Sequence, residues 1–187
     1  HIWATNYMIS IISNGVHYFQ DDVQELIKEN QGKIDFAISL DGCKELHDSC
    51  RLFYDGSGSY DLVSKACIHF MENYNPNMNT KLTLAPENIN WLSTAFKNLY
   101  NLGYDVIHAN CVYEKGWNLN HAKILYSEMK KVADFILDND LENIVFTSLF
   151  DEQHFKPMKP EDNHNYCGST GYMIAVNPDG ELFPCIR

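Results

Sequence analysis

The chain has 187 residues, is 45% hydrophobic and carries 25 acidic against 14 basic side chains, for a formal net charge of −11. One packed domain with a short appendage is therefore expected, while the acidic excess speaks against a nucleic-acid partner and the longest apolar runs, Met8 to Ile12 and Ile144 to Phe146, speak against a membrane span of roughly 20 residues. Six sparse cysteines do not make the dense framework of small secreted domains, so a reducing cytoplasm is expected, and a first residue His1 with no leader pattern leads us to expect that the sequence begins inside a longer protein.

Tyr7 to Ile12 forms a short apolar run closed by Ser13-Asn14-Gly15, a strand followed by a turn. Asp21 and Asp22 then favour a helix N-terminus, with Val23, Leu26 and Ile27 at helical spacing to about Glu29. Ile34 to Leu40 is a buried strand ended by Asp41-Gly42, and Tyr60 to Tyr74 a helix with Leu62, Val63, Ala66, Cys67 and Phe70 on one face. Lys81 to Leu84 is a strand, Ile89 to Leu102 a helix stopped by Gly103, and Val106 to Val112 a further strand. A long helix follows over Asn120 to Asp138, with a fifth strand at Asn143 to Leu149. Strands alternating with such helices imply βαβ units and a parallel sheet; barrel or open sheet is not decided by periodicity. After Phe155 the style changes: Lys156-Pro157-Met158-Lys159-Pro160 is a linker, and Tyr172 to Val176 with Glu181 to Phe183 forms a hairpin around Asn177 to Gly180.

In either architecture ligands gather at the C-terminal ends of the strands, where Ser13, Asn14, Ser39, Asp41 and Asn110 lie. Ser39-Leu40-Asp41-Gly42 offers a hydroxyl and a carboxylate suited to a ribose or an amino group, although Asp-Gly after a strand is also ordinary turn chemistry. Arg51 has the fork that binds carboxylates, or else a place in a surface ion pair. Gly56-Ser57-Gly58-Ser59 lacks the lysine ending of a phosphate loop and reads as a flexible lead-in, with Ser57 or Ser59 capping the next helix. His47-Asp48 has the composition of a general-base pair, but it sits in a segment read as a loop. Cys67 and Cys111 read as small core hydrophobes; Cys43 and Cys50 read as loop thiols beside the strand-end residues, with no role assigned.

The strongest local pattern is Cys167-Gly168 through Gly180 to Pro184-Cys185, that is, C-x12-G-x4-C. A hairpin would fold it back so that two thiolates share a soft metal or an iron–sulfur cluster; a disulfide, or a zinc site recruiting His154 or His164, are the alternatives.

Taken in order, Ser13-Asn14-Gly15, then Ile38-Ser39-Leu40-Asp41-Gly42 with Lys44 to Asp48 and Arg51, then Gly56 to Asp61, and the ending CGSTGYMIAVNPDGELFPC resemble the middle of radical S-adenosylmethionine enzymes with a SPASM domain. The resemblance implies an α/β fold, part of a TIM-like (β/α) barrel over residues 1–155, with a linker and the start of the auxiliary domain over 156–187. It implies that Ser39 and Arg51 bind the ribose or methionine portion of S-adenosylmethionine, with Asn14 and Asp41 nearby, and that Cys167 and Cys185 ligate an auxiliary 4Fe–4S cluster. It further implies a reducing electron donor and reductive cleavage of S-adenosylmethionine to a radical that takes a hydrogen atom from a bound peptide or protein.

The sequence departs from the family pattern in three places. No C-x3-C-x2-C and no GGEP occur, so the catalytic cluster is expected upstream of His1 and the further auxiliary cysteines beyond Arg187, and this chain alone is expected to be inactive. Anaerobic sulfatase maturases place an aspartate after the Gly-x4-Cys cysteine, where Ile186 stands here. The wording CKELHDSCR instead resembles maturases that form thioether links in ribosomal peptides. The competing reading is an α/β module that binds a small ligand and holds structural zinc through Cys167 and Cys185.

Overall fold

A computed structural model describes residues 7–112, 114–152, 174–177 and 179–183. The chain divides into two compact units, His1–Phe150 and Asp151–Arg187. In the first, strand β1 (Ile9–Ser13) is followed by α1 (Asp21–Glu29), β2 (Ile34–Ile38), a five-residue helix α2 (Lys44–Asp48) and α3 (Tyr60–Asn73). Then come β3 (Thr80–Leu84), a 3₁₀ turn at Ile89–Trp91 running into α4 (Leu92–Asn101), β4 (Val106–Cys111), α5 (Leu119–Asp138) and β5 (Phe146–Thr147). The strands pair in parallel as β1-β2 and as β3-β4-β5, the outcome that strand–helix alternation demands. The second unit shows a two-residue antiparallel hairpin, β6 (Ala175–Val176) with β7 (Leu182–Phe183). Its turn is organised by Asn177, whose side-chain oxygen accepts from the amides of Asp179 and Glu181.

Among the described residues, the sheets are covered on one face only. Phe36 and Ile38 of β2, Leu82 and Leu84 of β3 and Ile107 of β4 are buried in one cluster with Val63, Ala66, Cys67 and Phe70 of α3, Leu92, Ala95, Phe96 and Leu99 of α4 and Val132 of α5. The alternate residues, Ser10, Asp35, Ala37, Lys81, Thr83 and His108, are exposed or half-buried. A strand places neighbours on opposite faces, so this register leaves one face for the helices and the other free. A sheet sandwiched between two helical layers would instead bury both. The described strands form a mixed α/β arrangement with parallel sheets and no closed barrel.

Helix α2 replaces the expected loop between Asp41 and Gly56. Two long helices take their caps from other elements. Ser59 occupies the N-cap of α3 without capping it through its side chain; Asp48 of α2 instead accepts from Tyr60 N at 2.9 Å. The carboxylate of Glu128 in α5 accepts from Ser93 N at 3.0 Å and Ser93 Oγ at 2.6 Å, at the start of α4. Each satisfies an amide that the first helical turn leaves without a partner. Among the described helices only α5 has its own capping box, between Asn118 and His121.

Candidate functional site

The tips of β2 and β3 are not joined by a backbone ladder; side chains make the join. Leu40 carbonyl accepts from Thr80 Oγ1 at 3.0 Å, and Asp41 Oδ1 accepts from Thr83 N at 3.2 Å. Asp41 is 2% exposed, and its second oxygen accepts from Arg51 Nε in an ion pair. A carboxylate can be this deeply buried because both of its oxygens are engaged and its charge is neutralised by the guanidinium. Gly42 follows with φ +93°, and a Cβ there would lie 2.3 Å from Ala95 Cβ and 2.9 Å from Ala95 Cα. The loop after β2 therefore runs flat against α4, and only glycine fits.

Arg51 anchors at both ends. Its backbone carbonyl accepts from Ser59 Oγ at 2.8 Å and its amide donates to His47 O at 2.9 Å. Its side chain, 34% exposed, reaches a cleft of about 320 Å³ on the uncovered face of the sheets. Ser39, Thr83, Lys81 and His108 line the same cleft, with Ile12 and Ala37 as its apolar floor. The nitrogen of the guanidinium held by Asp41 is Nε. The register sets Lys81 beside His108, whose ring packs edge-on against Phe146 at 5.6 Å.

Of the four candidate cofactor-binding residues named from the sequence, Asn14, Ser39, Asp41 and Arg51, three thus come together: Ser39, Asp41 and Arg51. Asn14 is exposed and accepts from Val16 N at 3.1 Å in a turn of its own; it is not among the cleft's lining residues, although β1 ends beside Ser39, whose amide donates to Ser13 O at 2.9 Å. His47 and Asp48 do not act as a pair. His47 is fully buried, whereas Asp48 turns away to Tyr60 N and to Lys44 Nζ at 3.2 Å. Gly58 is no flexible lead-in: a Cβ on it would lie 2.1 Å from the Asp48 carboxylate, and Ser57 bonds back to Asp55. Cys43 is buried and Cys50 is exposed. Burial pushes the thiols of Cys43 and Cys111 up, and that of Cys67 to about 11, which keeps them protonated and unreactive at neutral pH.

Sequence reasoning missed His47 and Ser59 as supports of Arg51, and Lys81, Thr83 and His108 as cleft residues. The period-2 alternation in β3 and β4, with polar Lys81, Thr83, His108 and Asn110 on one face, was the available signal. Cys167 and Cys185 lie outside the described residues. Among the described residues no group of three or more histidine, cysteine or acidic side chains is arranged to hold a metal, and no helix is long and apolar enough to cross a membrane.

No family model and no curated protein matches the sequence. Solved structures do match. Native anSMEcpe, an anaerobic sulfatase-maturating enzyme of the radical S-adenosylmethionine class, with bound AdoMet and Kp18Cys peptide, superposes with a TM-score of 0.66 at 20% identity over 96% of this chain and 51% of that one. The same enzyme with AdoMet and Cp18Cys peptide gives 0.60 at 17% over 79% and 42%. This chain therefore spans about half, or less, of the solved chains it matches. At these identities the likeness establishes a fold like that of radical S-adenosylmethionine enzymes.

Proposed function

We propose that this chain is part of a radical S-adenosylmethionine enzyme that modifies a peptide or protein, and that the cleft at the tips of β2 and β3 holds the S-adenosylmethionine. The observation that carries the proposal is the placement of Arg51. A buried carboxylate grips its Nε, the two terminal nitrogens have no partner among the described hydrogen bonds, and Arg51 lines the same cleft as Ser39. A planar fork with two parallel donors is the natural partner of a carboxylate, and S-adenosylmethionine offers one at its methionine end together with ribose hydroxyls within reach of a serine. The cleft volume of about 320 Å³ falls at the lower end of small-ligand sites, which run from about 300 to 1,000 Å³. The neighbour's bound AdoMet and peptide support the same reading.

In this reading residues 1–155 form part of a (β/α) barrel, and residues 156–187 a linker and the start of a SPASM domain in which Cys167 and Cys185 ligate an auxiliary 4Fe–4S cluster. When bound, the S-adenosylmethionine and reduced clusters supply the hydrogen-abstracting chemistry. The residues of this chain bind and orient: Arg51 holds the carboxylate, Ser39 the ribose, Asp41 fixes Arg51, and Asn14 shapes the tip of β1 beside Ser39. A substrate such as a ribosomal peptide that receives a thioether link fits the pattern CKELHDSCR. The decisive experiment is anaerobic reconstitution of the full-length protein with iron and sulfide, followed by titration with S-adenosylmethionine. Binding weakened about tenfold or more by Arg51→Gln is expected, as for a charged hydrogen-bonded pair worth roughly 1.5–3 kcal/mol. A protein that takes up zinc without iron, or binds S-adenosylmethionine no better than adenosine alone, would overturn the proposal.

A further inference from the structure

We infer that His47 is the positioning residue that aims the Arg51 guanidinium into the cleft, acting through Asp41 on one ring nitrogen and Ser59 on the other. The inference rests on the reading of Arg51 as the carboxylate anchor. His47 itself touches no ligand, being fully buried behind the loop.

Asp41 N is a backbone donor and lies 3.3 Å from His47 Nδ1, so Nδ1 accepts and carries no proton. Ser59 Oγ has one proton and gives it to the Arg51 carbonyl at 2.8 Å. Towards His47 Nε2, at 3.0 Å, it can then only accept, so Nε2 carries the proton. The imidazole is thereby fixed as the neutral Nε2–H tautomer, the form that a buried ring holds at no charge cost. Burial keeps its pKa below the ordinary histidine value, the opposing pull of Asp41 notwithstanding.

This network closes on itself. The backbone of Asp41 donates to the ring, the ring donates to Ser59, and Ser59 donates to the backbone of Arg51, whose side chain returns to the carboxylate of Asp41. Asp41 and Arg51 are ten residues apart, at the two ends of the segment that contains α2, and the His47 ring bonds to Asp41 at one end and, through Ser59, to Arg51 at the other. His47 spans that gap and sets both the residue that grips Nε and the backbone from which the guanidinium extends. A plain space-filling role would need no particular tautomer; this loop of bonds needs an acceptor at the δ position and a donor at the ε position.

The test uses the full-length reconstituted protein, with S-adenosylmethionine as the titrant and melting temperature as the check on folding. His47→Leu, which removes both bonds, is expected to weaken binding about tenfold, the loss of one to two buried hydrogen bonds in the support. His47→Gln, whose amide can place a donor where Nε2 stands, is expected to recover most of it. Ser59→Ala removes the hydroxyl that joins His47 Nε2 to the Arg51 carbonyl but leaves the bond from Asp41 N to the ring; it is expected to weaken binding about threefold, which keeps the inference testable if the leucine variant does not fold. Nitrogen-15 NMR of the ligand-free protein adds a readout independent of binding: an unprotonated Nδ1 on His47 and a slowly exchanging Arg51 Nε–H that speeds up in Ser59→Ala. A folded His47→Leu variant with wild-type affinity, a glutamine variant no better than leucine, or an Arg51 Nε–H unaffected by Ser59→Ala would each overturn the inference. Arg51→Gln without effect on binding would instead remove the reading of Arg51 on which it rests, so the two failures are told apart.

Discussion

Gly42 lies at the turn between β2 and α2, and its φ of +93° together with 2.3 Å from a hypothetical Cβ to Ala95 Cβ allows no side chain. Gly42→Ala is expected to destabilise the protein by about 3 kcal/mol or more, the sum of a left-handed backbone penalty and a clash with α4, read as a lower denaturant midpoint. Gly58→Ala has a different cause. Its backbone is unstrained, but the added carbon meets the Asp48 carboxylate at 2.1 Å and would push it off Tyr60 N. A loss of about 1–3 kcal/mol is expected, accompanied by faster amide exchange in the first turn of α3; unchanged exchange there would refute the capping role. Both glycines stand in stretches whose turn chemistry was legible in the sequence. What they pack against was not, because the approaches to Ala95 and Asp48 are made across the fold, and the local sequence does not record them.

The long helices and the strands were readable from their periods, and only their ends moved. The expected helix from Ile89 begins as a 3₁₀ turn before α4, and α2 was missed because five residues make little more than one turn, too few for a period of 3.6 to declare itself. The caps were misread for a related reason. Ser59 has the right residue type for an N-cap, yet its hydroxyl is used by His47 and Arg51. For α4 the cap comes from α5, where Glu128 also accepts from Lys131 Nζ at 2.5 Å. Burial raises the pKa of this carboxyl, but the bonds from Lys131 and Ser93 outweigh it, and the net shift is downward. A carboxyl whose pKa is lower in the folded than in the unfolded state binds fewer protons when folded. Its stabilisation is complete above the ordinary glutamate value of about 4.3 and is lost as pH falls below it. Glu128→Gln is therefore expected to lower stability at pH 7 by about 1–2 kcal/mol and to flatten the acid limb as pH falls below the ordinary glutamate value of about 4.3. A variant whose acid limb matches that of the wild type would show that Glu128 is not the titrating cap.

At the scale of the whole molecule, the parallel order that the alternation implied has a consequence at its open side. Among the described residues β1 pairs with β2 alone, and the direction of its free donors can be deduced. Ile9 N donates to Lys33 O, and Ser13 O accepts from Ser39 N; in a parallel ladder the odd-numbered residues of β1 therefore face β2 and the amides of Ser10 and Ile12 face outward. The same edge carries Met8 and Ile12, 63% and 78% exposed. An apolar strand with unpaired amides is a template for another strand, so the isolated chain is expected to associate with rising concentration, measurable by sedimentation velocity. Ile12→Pro is the diagnostic change. It removes an outward donor and an exposed apolar side chain but no bond to β2, because proline lacks only the amide that is already free. The variant is expected to remain folded by circular dichroism and to sediment as a monomer at concentrations where the unmodified chain does not. If it associates to the same degree, the contact lies elsewhere and the edge of β1 is not the surface that the fold leaves unsatisfied.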